Sequence, residues 1–323
     1  MDLLDGFAIA IAWPDFMGKQ AGSWYDPMMR FFRMNKNFHY QVGHASLILI
    51  NSNGKCYYFD CGRYEAPYQK GRIRDESTDC GLQIKTRAIL QNGKISNIKE
   101  LLSEIQLNES CKGFGTLKAA YCKIKFKDAY SNVKNIQEKG IISFGPFIRP
   151  GTNCCRFVQQ GILKGNPVAI NKWKLKMMFP LWPKPLTIIQ ILPNNISIPE
   201  RQNLAGYEDV SHLYKDLIDT RYCYNKTNVG TTLEEPVKPS NVPSNSQWLS
   251  GEMAGSWFHL SQSNNSYFIT RYSENGTKKC SRKFSSNSES KFKMDKPYSF
   301  SYLTHCSKSN IIQGNEVFEF TRL

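Results

Sequence analysis

The sequence predicts an α+β protein that ends in an all-β module. In the first half, two hydrophobic strands at 43–51 and 55–61 flank the turn sequence Asn-Ser-Asn-Gly, which is typical of a β-hairpin. Amphipathic helices are predicted in the same half at 96–106 and 127–140, the first with a polar cap and the second closed by a glycine. From Trp248 onward, apolar strands alternate with turns, which predicts about five antiparallel strands in a meander or partly closed barrel.

The other elements of the first half follow from local signals. Pro14 ends a buried strand at 6–13, and Asp26 with Pro27 starts a short helix at 25–34. The same kinds of pattern predict two more strands and one more helix, at 82–90, 117–126 and about 152–163.

A change of composition divides the chain into parts. The sequence between 183 and 247 is rich in Pro, Asn and Ser, which is typical of connecting segments. We therefore expect a first domain at 1–190, a connecting segment at 191–247 and the small antiparallel β module at 248–323.

The chain is basic. Its 323 residues carry a formal net charge of +15, from 42 Lys and Arg against 27 Asp and Glu. This excess favours anionic partners such as an acidic polymer, an acidic lipid surface or nucleic acid. However, the basic residues at 123–127 and 172–176 alternate with apolar ones, which is more typical of the solvent face of strands than of a nucleic-acid-binding arm. No specific nucleic-acid partner is therefore predicted, and the oligomeric state stays open.

The N-terminal segment predicts no export signal. It carries acidic residues where a secretory signal peptide needs basic ones, and no apolar run is long enough to span a bilayer. The sequence therefore predicts a cytoplasmic protein with reduced thiols. Its ten cysteines include no C-x-x-C pair, so neither a structural zinc site nor a cofactor is expected.

Two adjacent cysteines stand where the last predicted helix of the first half begins. Cys154 lies at the helix start, where free backbone N–H groups and the helix dipole stabilise a thiolate and could hold an oxyanion. Cys155 is rotated by about 100° around the helix axis, so the two cannot face the same cleft. Phe157, Val158 and Ile162 are expected on the buried side of this helix.

Histidine is scarce, which narrows the search for a base beside a cysteine. His44 opens the apolar strand at 43–51, where a polar ring is either a hydrogen-bonded structural residue or a functional one. The others are expected in less suitable places: His39 in a loop, His212 on an exposed helix face, and His259 and His305 in the β module.

The register of the predicted hairpin decides which residue accompanies His44. If the turn has three residues and Gly54 takes the left-handed position, Ser46 faces Asp60 across the ladder. His44 and Asp60 are then diagonal neighbours on one face of the sheet, within reach of a polar contact.

A two-residue turn would change this arrangement. The pairing of the two strands would then shift by one residue, and His44 would share its face of the sheet with Cys61 and Arg63. Asp60 is the preferred residue to orient His44, with Glu65 as the second choice. A purely structural role for Asp60, as a turn cap at the strand end, is the alternative.

Two stretches resemble a known family: GHASLILINSNGKCYYFDCG at 43–62 and TNCCRFV at 152–158. The resemblance is to the circularly permuted branch of the NlpC-type papain-like hydrolases, which includes relatives of lecithin–retinol acyltransferase. In that group a histidine on a Gly-His strand comes first, a polar residue on the next strand follows, and the cysteine nucleophile opens a helix last.

The motifs of that group fit individual positions of this chain. The Asn-Cys-x-x-Phe word fits Asn153, Cys154 and Phe157, and so selects the first cysteine of the doublet. His44 fits the base, and Asp60 fits the polar third member, where other members often carry His or Glu. Some members also carry an aromatic residue that supports the oxyanion, for which the candidates here are Trp24 and Tyr25.

The resemblance implies a fold and an activity. The fold would be papain-like and circularly permuted, an antiparallel sheet packed on helices, with the all-β module at its C-terminal side. The activity would be that of a cysteine hydrolase, a peptidase or amidase that cleaves an amide or ester bond through a Cys154 thiolate with His44 as general base. Implied substrates are peptide-like or acyl compounds, including a cell-wall fragment or an acidic polymer. An acyltransferase or thioesterase at the same site, and an inactive papain-like binding protein, are the alternatives.

Overall fold

The described part of the chain forms a mixed α/β structure with two seven-stranded antiparallel sheets. The computed structural model describes residues 4–19, 26–32, 35–36, 39–111, 113–145, 148, 150–200, 235–264, 266–286 and 291–323. The strands are β1 (Gly6–Trp13), β2 (Met17–Lys19), β3 (Asn35–Lys36), β4 (His39–Gln41), β5 (His44–Ile50), β6 (Cys56–Gly62), β7 (Lys70–Arg74), β8 (Leu90–Gln91), β9 (Lys94–Ile95), β10 (Leu117–Ile124), β11 (Ile142–Ser143), β12 (Ile196–Ile198), β13 (Gln247–Leu249), β14 (Ser256–Ser263), β15 (Ser266–Tyr272), β16 (Lys278–Ser286), β17 (Ser299–Phe300), β18 (Lys308–Gln313) and β19 (Glu316–Arg322). The helices are α1 (Asp26–Phe31), α2 (Ile98–Leu107), α3 (Phe126–Gln137), α4 (Cys154–Lys164), α5 (Ala169–Met177) and α6 (Pro185–Ile191), with short 3-10 turns at Cys80–Leu82 and Glu109–Cys111.

The first sheet has the strand order β11-β7-β6-β5-β1-β10-β12 and is covered by helices on both faces. Every residue of β1 and β5 is buried, which is why these strands read as nearly continuous apolar runs. Leu47 and Leu49 face the side covered by α3, α4, α5 and α6, while Ile48 and Ile50 face the side covered by α2. This confirms the predicted antiparallel sheet packed on helices.

Helix α4 attaches to this sheet through its predicted buried side. Phe157, Val158 and Ile162 are all buried in the core cluster that includes Leu47 of β5. Full burial of side chains of this size contributes about 1.5–3 kcal/mol each. The packing therefore fixes the start of α4 relative to β5 and β6.

The hairpin between β5 and β6 has a three-residue turn, the first of the two turn lengths that the sequence left open. The Asn51 backbone N–H donates to the Lys55 carbonyl at 3.1 Å, and Gly54 has a φ of +75°. A side chain at Gly54 would also collide with the Ala88 carbonyl oxygen, since an added Cβ would lie 2.1 Å from it. Ser46 pairs with Asp60, so the predicted register is confirmed and the two-residue turn is wrong.

The predicted strand at 82–90 is wrong. After the turn at Cys80–Leu82 the chain is irregular until β8, because side chains and single backbone contacts satisfy its N–H groups. The Glu104 carboxylate accepts from the N–H groups of Lys85 and Thr86, at 2.7 and 2.8 Å. The N–H of Ala88 donates to the Gly54 carbonyl at 2.8 Å.

The region predicted as connecting chain from 183 contains regular structure. Helix α6 starts at Pro185, a proline at the first helical position, and contributes Ile188, Ile189 and Ile191 to the core. Strand β12 lies beyond the predicted limit of the first domain at 190, yet it pairs with β10 at the edge of the first sheet. The short apolar runs were hidden by the Pro and Asn residues around them.

The C-terminal module is a second antiparallel sheet with the strand order β13-β14-β15-β16-β19-β18-β17. The predicted all-β character is confirmed, but the described residues form seven strands rather than about five. The extra strands include β13 and β18, which lack a clear apolar alternation. Aromatic side chains dominate its core: Phe258, Phe284, Phe292, Phe300, Phe318 and Phe320.

Within the described residues, none of the helices has both the length and the apolar character needed to cross a membrane.

Candidate active site

Cys154 is the first residue of α4. The Asn153 side chain caps the helix by accepting a hydrogen bond from the Arg156 backbone N–H at 2.9 Å. Cys154 is partly exposed, whereas Cys155 is buried in the core at 2% exposure. The two cysteines therefore face different environments, as the helix geometry predicts.

His44 opens β5 and is held between aromatic rings. The residue is 2% exposed, and its imidazole stacks on Trp13, with ring centroids 5.7 Å apart and planes 12° from parallel. Phe16 lies against the same ring at 5.9 Å. The Trp13 indole N–H donates to the Gln106 side chain at 2.7 Å, which fixes the stacking partner in turn. These contacts restrict rotation of the imidazole.

The Asp60 carboxylate lies beside His44, 3.8 Å from Oδ2 to Nε2. At this length the contact is an ion pair rather than a hydrogen bond. Two tyrosine hydroxyls also approach Oδ2, that of Tyr64 at 3.3 Å and that of Tyr58 at 3.4 Å. The Tyr64 hydroxyl is 3.5 Å from His44 Nε2, so it bridges the imidazole and the carboxylate.

His44 and Cys154 lie close enough to shift each other's pKa, and the two pKa values move in opposite directions. Burial lowers the pKa of His44, but the Asp60 carboxylate and the Cys154 sulfur outweigh it and raise this pKa from 6.5 to about 9. The pKa of the Cys154 thiol is lowered well below its ordinary value, first by the thiol of Cys155, whose sulfur is 3.9 Å away. Burial opposes this shift, while His44 and the Ala45 backbone N–H add to it. The site thus favours a thiolate beside an imidazolium.

The neighbouring Cys155 has the opposite shift. Its contact with Cys154 and its burial raise the pKa of Cys155 well above the ordinary value, so it stays a neutral thiol. A neutral thiol can donate to the Cys154 sulfur, and the doublet is therefore asymmetric in charge as well as in exposure.

The second choice for the orienting residue lies elsewhere. Glu65 is buried, and its Oε1 accepts from the Ser256 hydroxyl at 2.6 Å and lies 3.8 Å from Arg271 Nη1. Both partners belong to the C-terminal module. The structure therefore brings Asp60, and not Glu65, to the side of His44.

Two of the remaining histidines, His259 and His305, lie in the C-terminal module. His305 bonds to the Ser307 hydroxyl through Nδ1 at 3.2 Å, and His259 lies on β14. His39 lies on β4, while His212, Trp24 and Tyr25 lie outside the described residues.

Sequence reasoning missed Arg74, the residue that holds Asp60. Arg74 donates from Nε and Nη2 to the two Asp60 oxygens, and its Cζ lies 3.5 Å from the centre of the Tyr64 ring. Burial opposes the charge on Asp60, but Arg74 and His44 lower the pKa of this carboxyl overall. The only signal in the sequence was the cluster of charged residues Arg-Ile-Arg-Asp at 72–75, which begins on the strand that follows the hairpin.

A chain of buried ion pairs runs from Asp60 into the C-terminal module. Arg74 contacts Asp79 at 3.2 Å, and Asp79 contacts Arg271 of β15 at 2.7 Å. Backbone bonds join the two parts as well, because the Glu65 N–H donates to the Ala254 carbonyl at 2.9 Å. The module is thus directly connected to the residues behind His44.

One group of possible metal ligands occurs among the described residues, away from this site. It consists of Cys80, Cys280 and Cys306. No short cysteine motif in the sequence points to this group, because its members are far apart along the chain.

These observations define a mixed α/β protein in which a cysteine, a histidine and an aspartate meet at one end of an antiparallel sheet. The family described as type VI secretion system effector TseH-like matches residues 8–169, and the chain belongs to this family. Residues 246–323 match a second model, described as the DUF6695 C-terminal domain.

One solved structure was found to be similar, the crystal structure of the type VI secretion system effector TseH. It matches with a TM-score of 0.41 and 19% sequence identity over 62% of this chain and 95% of that chain. No curated protein matches this chain. Because the family is one of secretion system effectors, the cytoplasmic location stays a prediction.

Proposed function

We propose that the protein is a cysteine hydrolase of circularly permuted papain-like fold that cleaves an amide or ester bond. The observation that carries the proposal is the proximity of a partly exposed cysteine at a helix start to a buried histidine that is paired with a carboxylate. The order of His44, Asp60 and Cys154 along the chain also fits the permuted group. Membership of a family of type VI secretion system effectors fits an enzymatic role.

In the proposed reaction, the Cys154 thiolate attacks the carbonyl carbon of the substrate. Because Nε2 of His44 faces Asp60, Nδ1 is the nitrogen that would exchange a proton at the sulfur side. The free N–H groups at the start of α4 would stabilise the oxyanion of the tetrahedral intermediate. The imidazolium then protonates the leaving amine or alcohol, and the carbon–nitrogen or carbon–oxygen bond breaks to give a thioester.

Water completes the cycle. His44, now neutral, accepts a proton from a water molecule as its oxygen attacks the thioester carbonyl. The carbon–sulfur bond breaks, the carboxylic acid leaves, and the thiolate–imidazolium pair is restored. Asp60 keeps the imidazole oriented throughout, and Arg74 keeps Asp60 in place.

The net charge of +15 favours an anionic substrate within the peptide-like or acyl class, including an acidic cell-wall fragment. The chemistry at Cys154 needs only a carbonyl with a leaving group. The experiments must therefore determine both which bond is cleaved and which compound carries it.

The first test is reaction with an iodoacetamide-type probe at about pH 6, well below the ordinary thiol pKa of about 8.5. We expect rapid labelling of the parent protein at Cys154 and none at this position in Cys154→Ala. The matched control is Cys155→Ser, which keeps a donor beside the sulfur and should retain most of the labelling. Equal labelling of Cys154→Ala and the parent at this pH would refute an activated Cys154.

The second test is hydrolysis. Purified protein is incubated with cell-wall muropeptides, unrelated peptides and acyl esters, and products are identified by mass spectrometry. We expect cleavage products in at least one class, lost in Cys154→Ala and His44→Ala. Products that carry an added acyl group instead of a new carboxylate would identify an acyltransferase. Reactive Cys154 without turnover on any class would favour a binding protein.

A further inference from the structure

Three cysteine side chains from distant parts of the chain meet where the C-terminal module contacts the first half. Cys80 lies in the 3-10 turn Cys80–Leu82, Cys280 lies on β16, and Cys306 lies in the loop before β18. Their sulfur atoms are all within 4.8 Å of one another. Cys80 is partly exposed, and the other two are buried.

We propose that these three thiolates bind a zinc ion that fastens the module to the first half. Tetrahedral zinc with Zn–S bonds of about 2.3 Å places its sulfur ligands roughly 3.8 Å apart. Three sulfurs within 4.8 Å of each other need only small shifts to reach that geometry. Thiolate sulfur selects zinc and other soft ions over magnesium or calcium, which prefer oxygen ligands.

The geometry fits a metal better than a disulfide. A disulfide joins two sulfurs at about 2.05 Å and leaves a third thiol with no chemical role. A metal ion uses all three sulfurs. A water molecule can take the fourth position of the tetrahedron, because Cys80 is partly open to solvent.

The surroundings hold the ligands in place and balance their charge. The Cys306 backbone N–H donates to the Thr78 carbonyl at 3.1 Å, two residues before Cys80, and so ties the two ligand loops together. Arg271 lies close enough to Cys306, and Arg282 close enough to Cys80, to act on them electrostatically. Three thiolates and one Zn²⁺ carry a net charge of −1, which these guanidinium groups would offset.

The position suggests what the ion does. Cys80 follows Asp79, which joins Arg74 to Arg271 across the contact between module and first half. A metal bond across the same contact would keep this chain of ion pairs assembled. The role is structural, and it does not depend on the proposed hydrolase activity.

The test is the zinc content of the full chain, measured by mass spectrometry of the metal. A Cys154→Ala background is used, so that the proposed active site cannot contribute a ligand. We expect one zinc per chain after purification with zinc present and removal of loose metal. Cys80→Ser and Cys306→Ser should each lose it, while Cys122→Ser, which changes a buried cysteine of β10, should keep it.

Two further measurements allow for misfolding of a variant. Cobalt added to the metal-free protein should give the intense sulfur-to-metal absorption of thiolate ligation, and the thermal midpoint should fall when a chelator removes zinc. Cys80 is the most exposed of the three ligands, so Cys80→Ser is the variant expected to fold. A chelator should not lower the thermal midpoint of this variant. Absence of metal after reconstitution, or a disulfide between two of these cysteines in the purified protein, would overturn the proposal.

Discussion

Arg74 donates hydrogen bonds to both carboxylate oxygens of Asp60, from Nε at 3.0 Å and from Nη2 at 2.6 Å. Asp60 is fully buried and Arg74 almost so, so neither charge is shared with water. The forked geometry leaves the Asp60 carboxylate one orientation, with Oδ2 turned to His44. Asp60, the residue proposed to orient His44, is therefore itself positioned by Arg74, which lies two strands away from His44.

We expect Arg74→Met to destabilise the protein by about 3–5 kcal/mol, because it removes the guanidinium group that pairs with the buried carboxylates of Asp60 and Asp79. Urea unfolding followed by circular dichroism measures the loss. Arg87→Met is the matched control, since Arg87 is exposed and outside the site. The double variant Asp60→Asn with Arg74→Met should recover part of the stability, because it removes the unpaired charge. Equal unfolding free energies for Arg74→Met and Arg87→Met would contradict this expectation.

The pH dependence of activity should have its alkaline limb near pH 9. His44 acts as an acid only while protonated, and its pKa is raised to about 9 by Asp60 and Cys154 against the effect of burial. Activity should therefore fall as the pH rises through this value.

In Asp60→Asn the negative charge beside the imidazolium is gone, so the pKa of His44 should fall and the alkaline limb should move to lower pH. The rate of product formation against pH measures the limb, and the NMR titration of the His44 ring measures the pKa directly. An unchanged titration in Asp60→Asn would show that Asp60 does not stabilise the imidazolium.

Cys155 should lower the pKa of its neighbour Cys154. Cys155 is the largest contributor to the lowered pKa of Cys154. We expect Cys155→Ala to raise the pKa of Cys154, so that probe labelling begins at higher pH than in the parent. Cys155→Ser keeps a hydrogen-bond donor, so the pH at which labelling begins should shift less. If both variants label with the parent's pH profile, the sulfur–sulfur contact has no effect on the thiolate.

The hairpin turn should tolerate no side chain at Gly54. An alanine there would have to adopt a φ of +75° and would bring its Cβ against the Ala88 carbonyl oxygen. A strained backbone of this kind costs about 1–3 kcal/mol. Gly314→Ala is the matched control, because Gly314 has a φ of +59° but nothing within 4 Å of an added Cβ. Thermal unfolding should separate the two variants, with Gly54→Ala the less stable; the reverse order would contradict the steric explanation.

The parts of the fold that the sequence predicts correctly depend on local chemistry. Gly54 predicts a tight turn, and the three-residue form, one of the two forms that the sequence left open, sets the pairing of Ser46 with Asp60. The buried side of α4 follows from helix geometry. The hairpin register could place Asp60 beside His44, whereas only the resemblance to the permuted papain-like hydrolases implied that Cys154 lies near them.

Other features were hidden because they depend on contacts between distant residues. Nothing near Arg74 in the sequence shows that its partner is Asp60, and nothing near Cys80 points to Cys280 and Cys306. The segment at 82–90 has the composition of a strand, yet the Glu104 side chain takes two of its N–H groups. Such contacts override local propensity.

The ion pairs that run from Asp60 through Arg74 and Asp79 to Arg271 have a consequence for biosynthesis. A growing chain that has emerged only through α4 already contains Cys154, His44 and Asp60. It still lacks Arg271, so Asp79 has one buried charged partner fewer. This network of ion pairs is therefore complete only after β15 has been translated and has docked, so the surroundings of Asp60 are finished by the last part of the chain to be made.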